Sequence, residues 1–298
     1  MSAVVANITR SAPAASRFRV GLAYTPEEVL ETQRLRYRVF AEEMGAQIRD
    51  GGQRIDRDWL DHFCHHLLVR DTETGEVVAS TRLLTDAQAQ AAGGFYSAQE
   101  FDLRNILALP GRKLEVGRTC VHPDYRNGAV IALLWAGLAE FVRERGFAWL
   151  FGCASIELSD GGARAHAIAR LLTEKHLAPI EARAEPRIRL PRTVPPLPCV
   201  RGTGAREISR SANADAAAAP APTLCGTVSQ PSPRLPPLLK AYLSLGAKVC
   251  GPPYWDAQFG TADILVLVQV EDLSPRYARH FIQRSSAPIT VRAGENRV

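Results

Sequence analysis

The chain has 298 residues, 46% hydrophobic and 22% charged, with a formal net charge of +5. That balance suits a globular protein with ample length for a core, and no apolar run approaches the about 18 residues of a membrane-spanning helix. The positive charge favours acidic partners, but it comes without a nucleic-acid-binding motif, zinc-finger spacing or a Lys/Arg block, which argues against nucleic acid.

Residues 1–16 are small and weakly polar and read as a mobile tail. Arg17 to Ala23 alternates like a first strand, and Thr25-Pro26-Glu27-Glu28 has the form of a capping box opening a helix that runs to Gly45. Leu35, Val39 and Phe40 share one face of that helix; of Arg34, Arg36 and Arg38, not all fit there, and a solvated arginine is the default. Gln47 to Asp61 is a polar loop carrying Asp50, Asp56, Asp58 and Asp61. Two apolar runs, His66–Arg70 and Glu76–Leu84, flank a Gly-containing turn and predict an antiparallel hairpin. Ser97 and Glu100 have the spacing of a helix start.

Lys113 to Leu134 is the most informative stretch. Leu114, Val116 and Thr119 to Val121 are strand formers, Pro123 and Asp124 stop the strand, and Arg126-Asn127-Gly128-Ala129 opens an apolar helix that Gly146 closes. A small-residue turn feeding a helix N-terminus exposes backbone N–H groups at the positive end of the helix dipole, a seat for phosphate. Phe147 to Cys153 predicts a further strand and Ala163 to His176 a helix, which completes a core over 17–180. From 181 to 237 proline, alanine and serine dominate, as in a flexible connector. The segment 238–298 holds a helix ending at Gly246, a buried strand from Ile264 to Val270 and a short helix from Pro275 to Gln283. It is too small for a domain of its own and is expected to complete the sheet.

The run V-x-P-x-Y-R-x-G-A-V resembles the acyl-donor motif of the GCN5-related N-acyltransferases (GNAT). More stretches resemble one branch of that superfamily, the L-ornithine N-alpha-acyltransferases, often termed hemolysin-like. They are R-L-R-Y-R-V-F-A-E-E-M-G-A (34–46), D-H-F-C-H-H-L-L-V-R-D (61–71), T-R-L-L (81–84), G-G-F-Y-S-A-Q-E-F-D-L (93–103), W-L-F-G-C-A-S (149–155) and L-P-P-L-L-K-A-Y-L-S-L-G-A (235–247). Cys64-His65-His66 and Ala79-Ser80-Thr81 depart from the branch's usual residues. The resemblance implies an α/β GNAT fold, a mixed, mostly antiparallel sheet flanked by helices. It implies transfer of a long, 3-hydroxylated acyl group to the alpha-amine of L-ornithine, giving lyso-ornithine lipid, by a cytoplasmic enzyme that meets the inner membrane transiently. Arg36 to Phe40, Asp58 to Asp61 and Glu115 to Arg118 are also similar to motifs of acyl-homoserine-lactone synthases. That kinship favours the acyl-phosphopantetheine of acyl carrier protein, a co-substrate rather than a cofactor, over coenzyme A. It keeps lactone synthesis, or acylation of another amino acid, as the nearest alternative. A non-catalytic acyl-carrier or lipid-binding module is the alternative of another class.

Thioester aminolysis needs a neutral amine, and a free alpha-amine has a pKa of about 8, so a base helps at neutral pH. Glu115 is the candidate base, directly or through water, and structural pairing with Arg118 is the competing reading. Arg118 is assigned to orienting Glu115 or the donor. Val121, Arg126, Asn127, Gly128 and Ala129 are assigned to the donor, Arg36 and Arg82 to the acceptor carboxylate, and Asp58 or Asp61 to its side-chain ammonium. Cys120 reads as a buried strand thiol rather than a nucleophile. His62, His65 and His66 lack companions at metal-ligand spacing and read as ordinary surface and packing histidines, so no metal is expected. The six cysteines form no C-x-x-C pair, which favours reduced thiols, and the N-terminus lacks the form of a secretory signal.

Overall fold

A computed structural model describes residues 16–48, 50–194 and 233–273. Residues 1–15 of the expected tail, 195–232 of the connector and the helix at 275–283 lie outside the described residues. In chain order the elements are β1 (Phe18–Leu22), α1 (Pro26–Tyr37), β2 (His65–Asp71), β3 (Val77–Thr85), α2 (Asp86–Ala91) and β4 (Phe101–Asp102). There follow α3 (Arg104–Ala108), β5 (Arg112–Val121), α4 (Ala129–Arg145), β6 (Phe147–Glu157) and α5 (Ala163–His176). Last come β7 (Glu185–Pro186), α6 (Pro237–Ser244), β8 (Lys248–Val249), β9 (Tyr254–Asp256) and β10 (Thr261–Gln269).

One sheet organises these elements, in the order β1-β2-β3-β5-β6-β10-β8, with β9 on β10. Only β5 and β6 pair in parallel; the other pairings of this sheet are antiparallel. The C-terminal segment enters the sheet because β10 lies along almost all of β6, from Thr261 opposite Glu157 to Gln269 opposite Trp149. Strand alternation sorts the side chains onto two faces. Leu83, Leu114 and Val116 pack under Val130, Leu134, Leu138 and Phe141 of α4, and Ala154, Ile264 and Val266 pack under Ile168 and Leu172 of α5. On the opposite face Leu84, Phe151, Leu265 and Leu267 meet Phe95, Phe101 and Ile106, while Leu35 and Val39 cover Leu68 and Cys120. Each fully buried Leu or Ile contributes about 1.5–3 kcal/mol, so both faces hold the sheet.

The capping box on α1 is present, with Thr25 accepting from the Glu28 N–H. Past Tyr37 the helix widens into a π-turn over Arg38–Glu43. Sequence spacing misplaces one element: Ser97 lies inside a 3-10 turn over Tyr96–Gln99 and Glu100 closes it, so they do not start a helix. The composition change at Glu181 is not a structural boundary either. Glu185 and Pro186 pair with β4, and Ala182, Ala184 and Val194 are buried.

Two features of β5 and β6 position the site. Their parallel pairing ends at Glu115 opposite Phe151. There the Val116 carbonyl oxygen presses on Gly152, and a Cβ at that glycine would lie 2.1 Å from it. Beyond that point the strands splay. On the other edge of β5, Gly117 faces Arg82 and Cys120 faces Ser80, so Arg118 and Thr119 together oppose Thr81 as a bulge. Arg118 has φ +51°, a left-handed conformation that costs a non-glycine residue about 1–3 kcal/mol.

Candidate active site

Between the two apolar clusters on the α1 face, three arginines meet three aspartates. Arg36, one residue along α1 from buried Leu35, is 1% exposed. Its Nε donates to Asp56 Oδ2 and its Nη1 to Asp61 Oδ1, both at 2.8 Å. Arg82 of β3 donates from Nη1 to Asp58 Oδ1 at 2.6 Å and Asp61 Oδ1 at 2.9 Å. Asp58 and Asp61 are placed locally as the capping box of a 3-10 turn over Trp59–His62. Burial opposes ionisation of Asp61, but the charges of Arg36 and Arg82 outweigh it and hold the carboxyl well below its usual range.

The bulge delivers Arg118 into the same network. Its Nε lies 3.4 Å from Asp56 Oδ2 and its Nη2 3.6 Å from Asp58 Oδ2. Its guanidinium sits between the rings of Tyr96 and Phe259, 4.9 and 4.8 Å from their centroids. Three buried polar atoms here find no hydrogen-bond partner among the described residues: Arg36 Nη2, Arg118 Nε and Asp58 Oδ2. Two donors and one acceptor are left over. A buried polar atom without a partner costs about 1–3 kcal/mol.

Glu115 and Arg118 are not paired. Glu115 Oε2 accepts the Tyr96 N–H at 2.7 Å, and Oε1 accepts the Ser97 N–H at 2.7 Å and the Ser97 hydroxyl. Burial pushes this carboxyl up and the Ser97 and Tyr96 donors pull it back. Its geometry is that of an anchor for the 96–99 turn. Glu100 leaves the end of that turn, and its Oε2 accepts from Cys153 Sγ at 3.1 Å. Asp256 of β9 and Asp263 of β10 bring carboxylate oxygens within 4.8 Å of it.

On the donor side, Gly128, at φ +85°, is the N-cap of α4. Asn127 Oδ1 accepts the Ala129 N–H at 3.1 Å, which leaves the N–H groups of Val130 and Ile131 at the open end of the helix. Arg126 Nε donates to the Val121 carbonyl at 3.2 Å, and its two terminal nitrogens clamp Glu43 at 2.6 and 2.7 Å. This is an anion seat whose arginine is already engaged by a carboxylate. Across the sheet from the arginines, Thr81 and Thr119 join hydroxyls at 2.8 Å. Burial pushes the phenol of Tyr242 well above its usual range.

Residues 35–136 match the acetyltransferase (GNAT) domain family. An L-ornithine N(alpha)-acyltransferase of Rhodobacter capsulatus is 34% identical over 90% of this chain and 95% of its own length. Another, from Brucella abortus, is 32% identical over 88% of each chain. The chain belongs to the L-ornithine N(alpha)-acyltransferase family. It is an N-acyltransferase with the GNAT fold. Among solved structures, a CoA-dependent acyl-homoserine lactone synthase, BjaI, with MTA is similar at 15% identity and a TM-score of 0.49, covering 91% of this chain and 90% of that one.

For this member of the family the structure gathers Arg36, Arg82, Asp58, Asp61 and Arg118 into one network and seats Val121, Arg126, Asn127, Gly128 and Ala129 at the helix turn. It corrects two expectations. The buried-face arginine of α1 is not solvated, because Asp56 and Asp61 neutralise it. Of the two roles expected of Arg118, orienting Glu115 or the donor, the first does not hold, because the bulge turns it toward Asp56 and Asp58. Cys120 is buried 3.6 Å from Ser80 Oγ, and burial pushes its thiol up to about 11, unsuited to a nucleophile. His65 packs edge-on against Phe141, and His66 Nε2 bonds the Asp61 carbonyl. Sequence reasoning gave no site role to Asp56, Tyr96, Ser97, Glu100, Asp256, Phe259 or Asp263; the acidic loop pointed to Asp56 and the cap spacing singled out Ser97 and Glu100 for a helix start only.

Proposed function

We propose that the chain transfers a 3-hydroxylated fatty acyl group from acyl carrier protein to the alpha-amine of L-ornithine, giving lyso-ornithine lipid. The observation that carries this reading is the leftover bonding capacity of the arginine–aspartate network. Arg36 Nη2 and Arg118 Nε are donors, as a carboxylate requires, and Asp58 Oδ2 is an acceptor, as an ammonium requires. An α-amino acid supplies both a carboxylate and an ammonium, and the named relatives act on ornithine. The phosphate of the donor's phosphopantetheine belongs at the first turn of α4, where Arg126 would exchange Glu43 for it. The net positive charge of the chain suits an acidic carrier protein. The product is an amphiphile, so a cytoplasmic enzyme of this kind meets the inner membrane surface transiently; no helix among the described residues is long and apolar enough to cross it.

The test is mass spectrometry of lipids from a host that lacks ornithine lipids and expresses this chain. Mono-acylated ornithine is the expected new product. Acyl-homoserine lactone or another acyl-amino acid in its place would overturn the acceptor, and no acylated product would favour the non-catalytic binding module.

A further inference from the structure

The carboxylate best placed to serve the attacking amine is not the one on β5. Pairing of β5 with β6 stops at Glu115 and Phe151, so Cys153 is the first residue of β6 past the splay that shares a face with Glu115. Cys153 Sγ donates to Glu100 at 3.1 Å and lies 3.5 Å from the Ser97 hydroxyl that holds Glu115. Glu100 therefore packs against β6 just past the point where its pairing with β5 ends. Unlike Glu115, it accepts no backbone N–H among the described residues. Unlike Asp56, Asp58 and Asp61, it has no arginine within ion-pair distance there.

Its surroundings are those of a proton store. Asp263 of β10, Asp256 of β9 and Glu115 of β5 all raise it, and Cys153 of β6 bonds it. Tyr96 from its own turn and Tyr254 of β9 also sense its charge. Asp256 is committed elsewhere, because its Oδ1 accepts the Gln258 and Phe259 N–H groups at 2.8 and 2.9 Å. Glu100 and Asp263 are thus the two members of the cluster whose carboxyls are both raised. Burial first pushes both up, Glu100 to about 8 with the charge of Asp263 next, and Asp263 to about 6 with the charge of Asp256 among the remaining causes, so between them they hold one proton at neutral pH. Independently, Arg36, 1% exposed, and Arg118 leave unpartnered donors in the connected network, the groups that would hold the acceptor's carboxylate beside this pair.

Resting on the acceptor assignment above, we infer that the Glu100–Asp263 carboxyl pair is the base of the transfer reaction, with Glu100 the member that faces the amine. The ammonium gives one proton to Glu100 as the proton that Glu100 holds at neutral pH passes to the ionised Asp263, and the nitrogen then bonds to the thioester carbon. The carbon–sulfur bond breaks with its electron pair going to sulfur, and the second proton lost by nitrogen goes to the thiolate. Amide and thiol leave, and the pair returns its proton to solvent. Glu115 acts through the 96–99 turn, as a positioning residue.

The experiment compares the full-length wild type with Glu100→Gln and Glu100→Asp, using L-ornithine and 3-hydroxyacyl-acyl carrier protein from pH 7 to pH 9.5. Glu100→Gln is expected to lower kcat at pH 7 by about 10²–10³-fold, with the ornithine KM changed less than threefold. The deficit shrinks at least tenfold by pH 9.5 as solvent supplies the free amine, and Glu100→Asp restores at least tenfold over Glu100→Gln. Melting no lower than that of the wild type and unchanged binding of the acyl donor keep misfolding out of the comparison. A kcat within threefold of wild type, or a loss that is the same at both pH values, overturns the proposal. Should the wild type acylate a different amine, the acceptor assignment fails on its own, and the same comparison proceeds on that amine with the same two outcomes.

Discussion

Glu115 and Arg118 lie on one strand but serve different partners: Glu115 accepts from Tyr96 and Ser97, and Arg118 faces Asp56 and Asp58. The bulge between Gly117 and Cys120 separates them. Glu115→Gln therefore acts first on the fold. An amide in place of the carboxylate turns one acceptor into a donor facing an N–H, so the variant should lose about 2–4 kcal/mol in urea unfolding. If Glu115 were free to act as a base, stability would hold and only rate would fall.

The arginine–aspartate network makes a second prediction. Removing one member leaves a buried charge without its partner, which costs about 3–5 kcal/mol. Arg36→Ala, whose side chain is 1% exposed, should unfold well below the wild-type midpoint, whereas the exposed Arg34→Ala should stay within about 0.5 kcal/mol of it. Equal effects from the two would contradict the buried network.

Stability should respond to pH in two opposite ways. Asp61 is held below its unfolded value, so its contribution is complete above the ordinary carboxylate range and is lost as pH falls through that range toward its lower folded value. Glu100 and Asp263 are pushed up to about 8 and about 6. Folding favours their neutral forms, so what they contribute is present below about pH 4 and is lost as pH rises from there through about 6 and 8. Glu100→Gln should flatten the decline between pH 5 and pH 8 in urea midpoints. An identical slope in both proteins would remove the raised carboxyl from the account.

Gly152 tests the splay. Its substitution by alanine places a methyl 2.1 Å from the Val116 carbonyl oxygen, which forces β5 and β6 apart. Overpacking of this kind costs about 1–3 kcal/mol, and acyl transfer should fall with it. A Gly152→Ala enzyme with wild-type melting and turnover would show that the close approach is dispensable.

Much of the fold was legible in local signals. The capping box at Thr25 and Glu28, the hairpin of β2 and β3, and the Gly128 turn into α4 all depend on neighbouring residues, and each appears where the pattern places it. What escaped is long-range. Arg36 looked solvated because the aspartates that bury it lie 20 and 25 residues away. Ser97 and Glu100 have the spacing of a cap but take their partners from β5 and β6. Glu100 meets Asp263 only because β10, beyond the Pro/Ala-rich connector, returns to pair with β6. Nothing in the spacing of Glu115 and Arg118 announces a bulge, since that is set by how β3 and β5 register.

The most direct test of the central claim is acyl transfer by the purified chain, with L-ornithine and 3-hydroxyacyl-acyl carrier protein as the only substrates. Tandem mass spectrometry should find one acyl group on the alpha-nitrogen and none on the side-chain nitrogen, with one carrier thiol released per product. Thiol release that is the same with and without ornithine, or an acyl group on the side-chain nitrogen, would contradict the account.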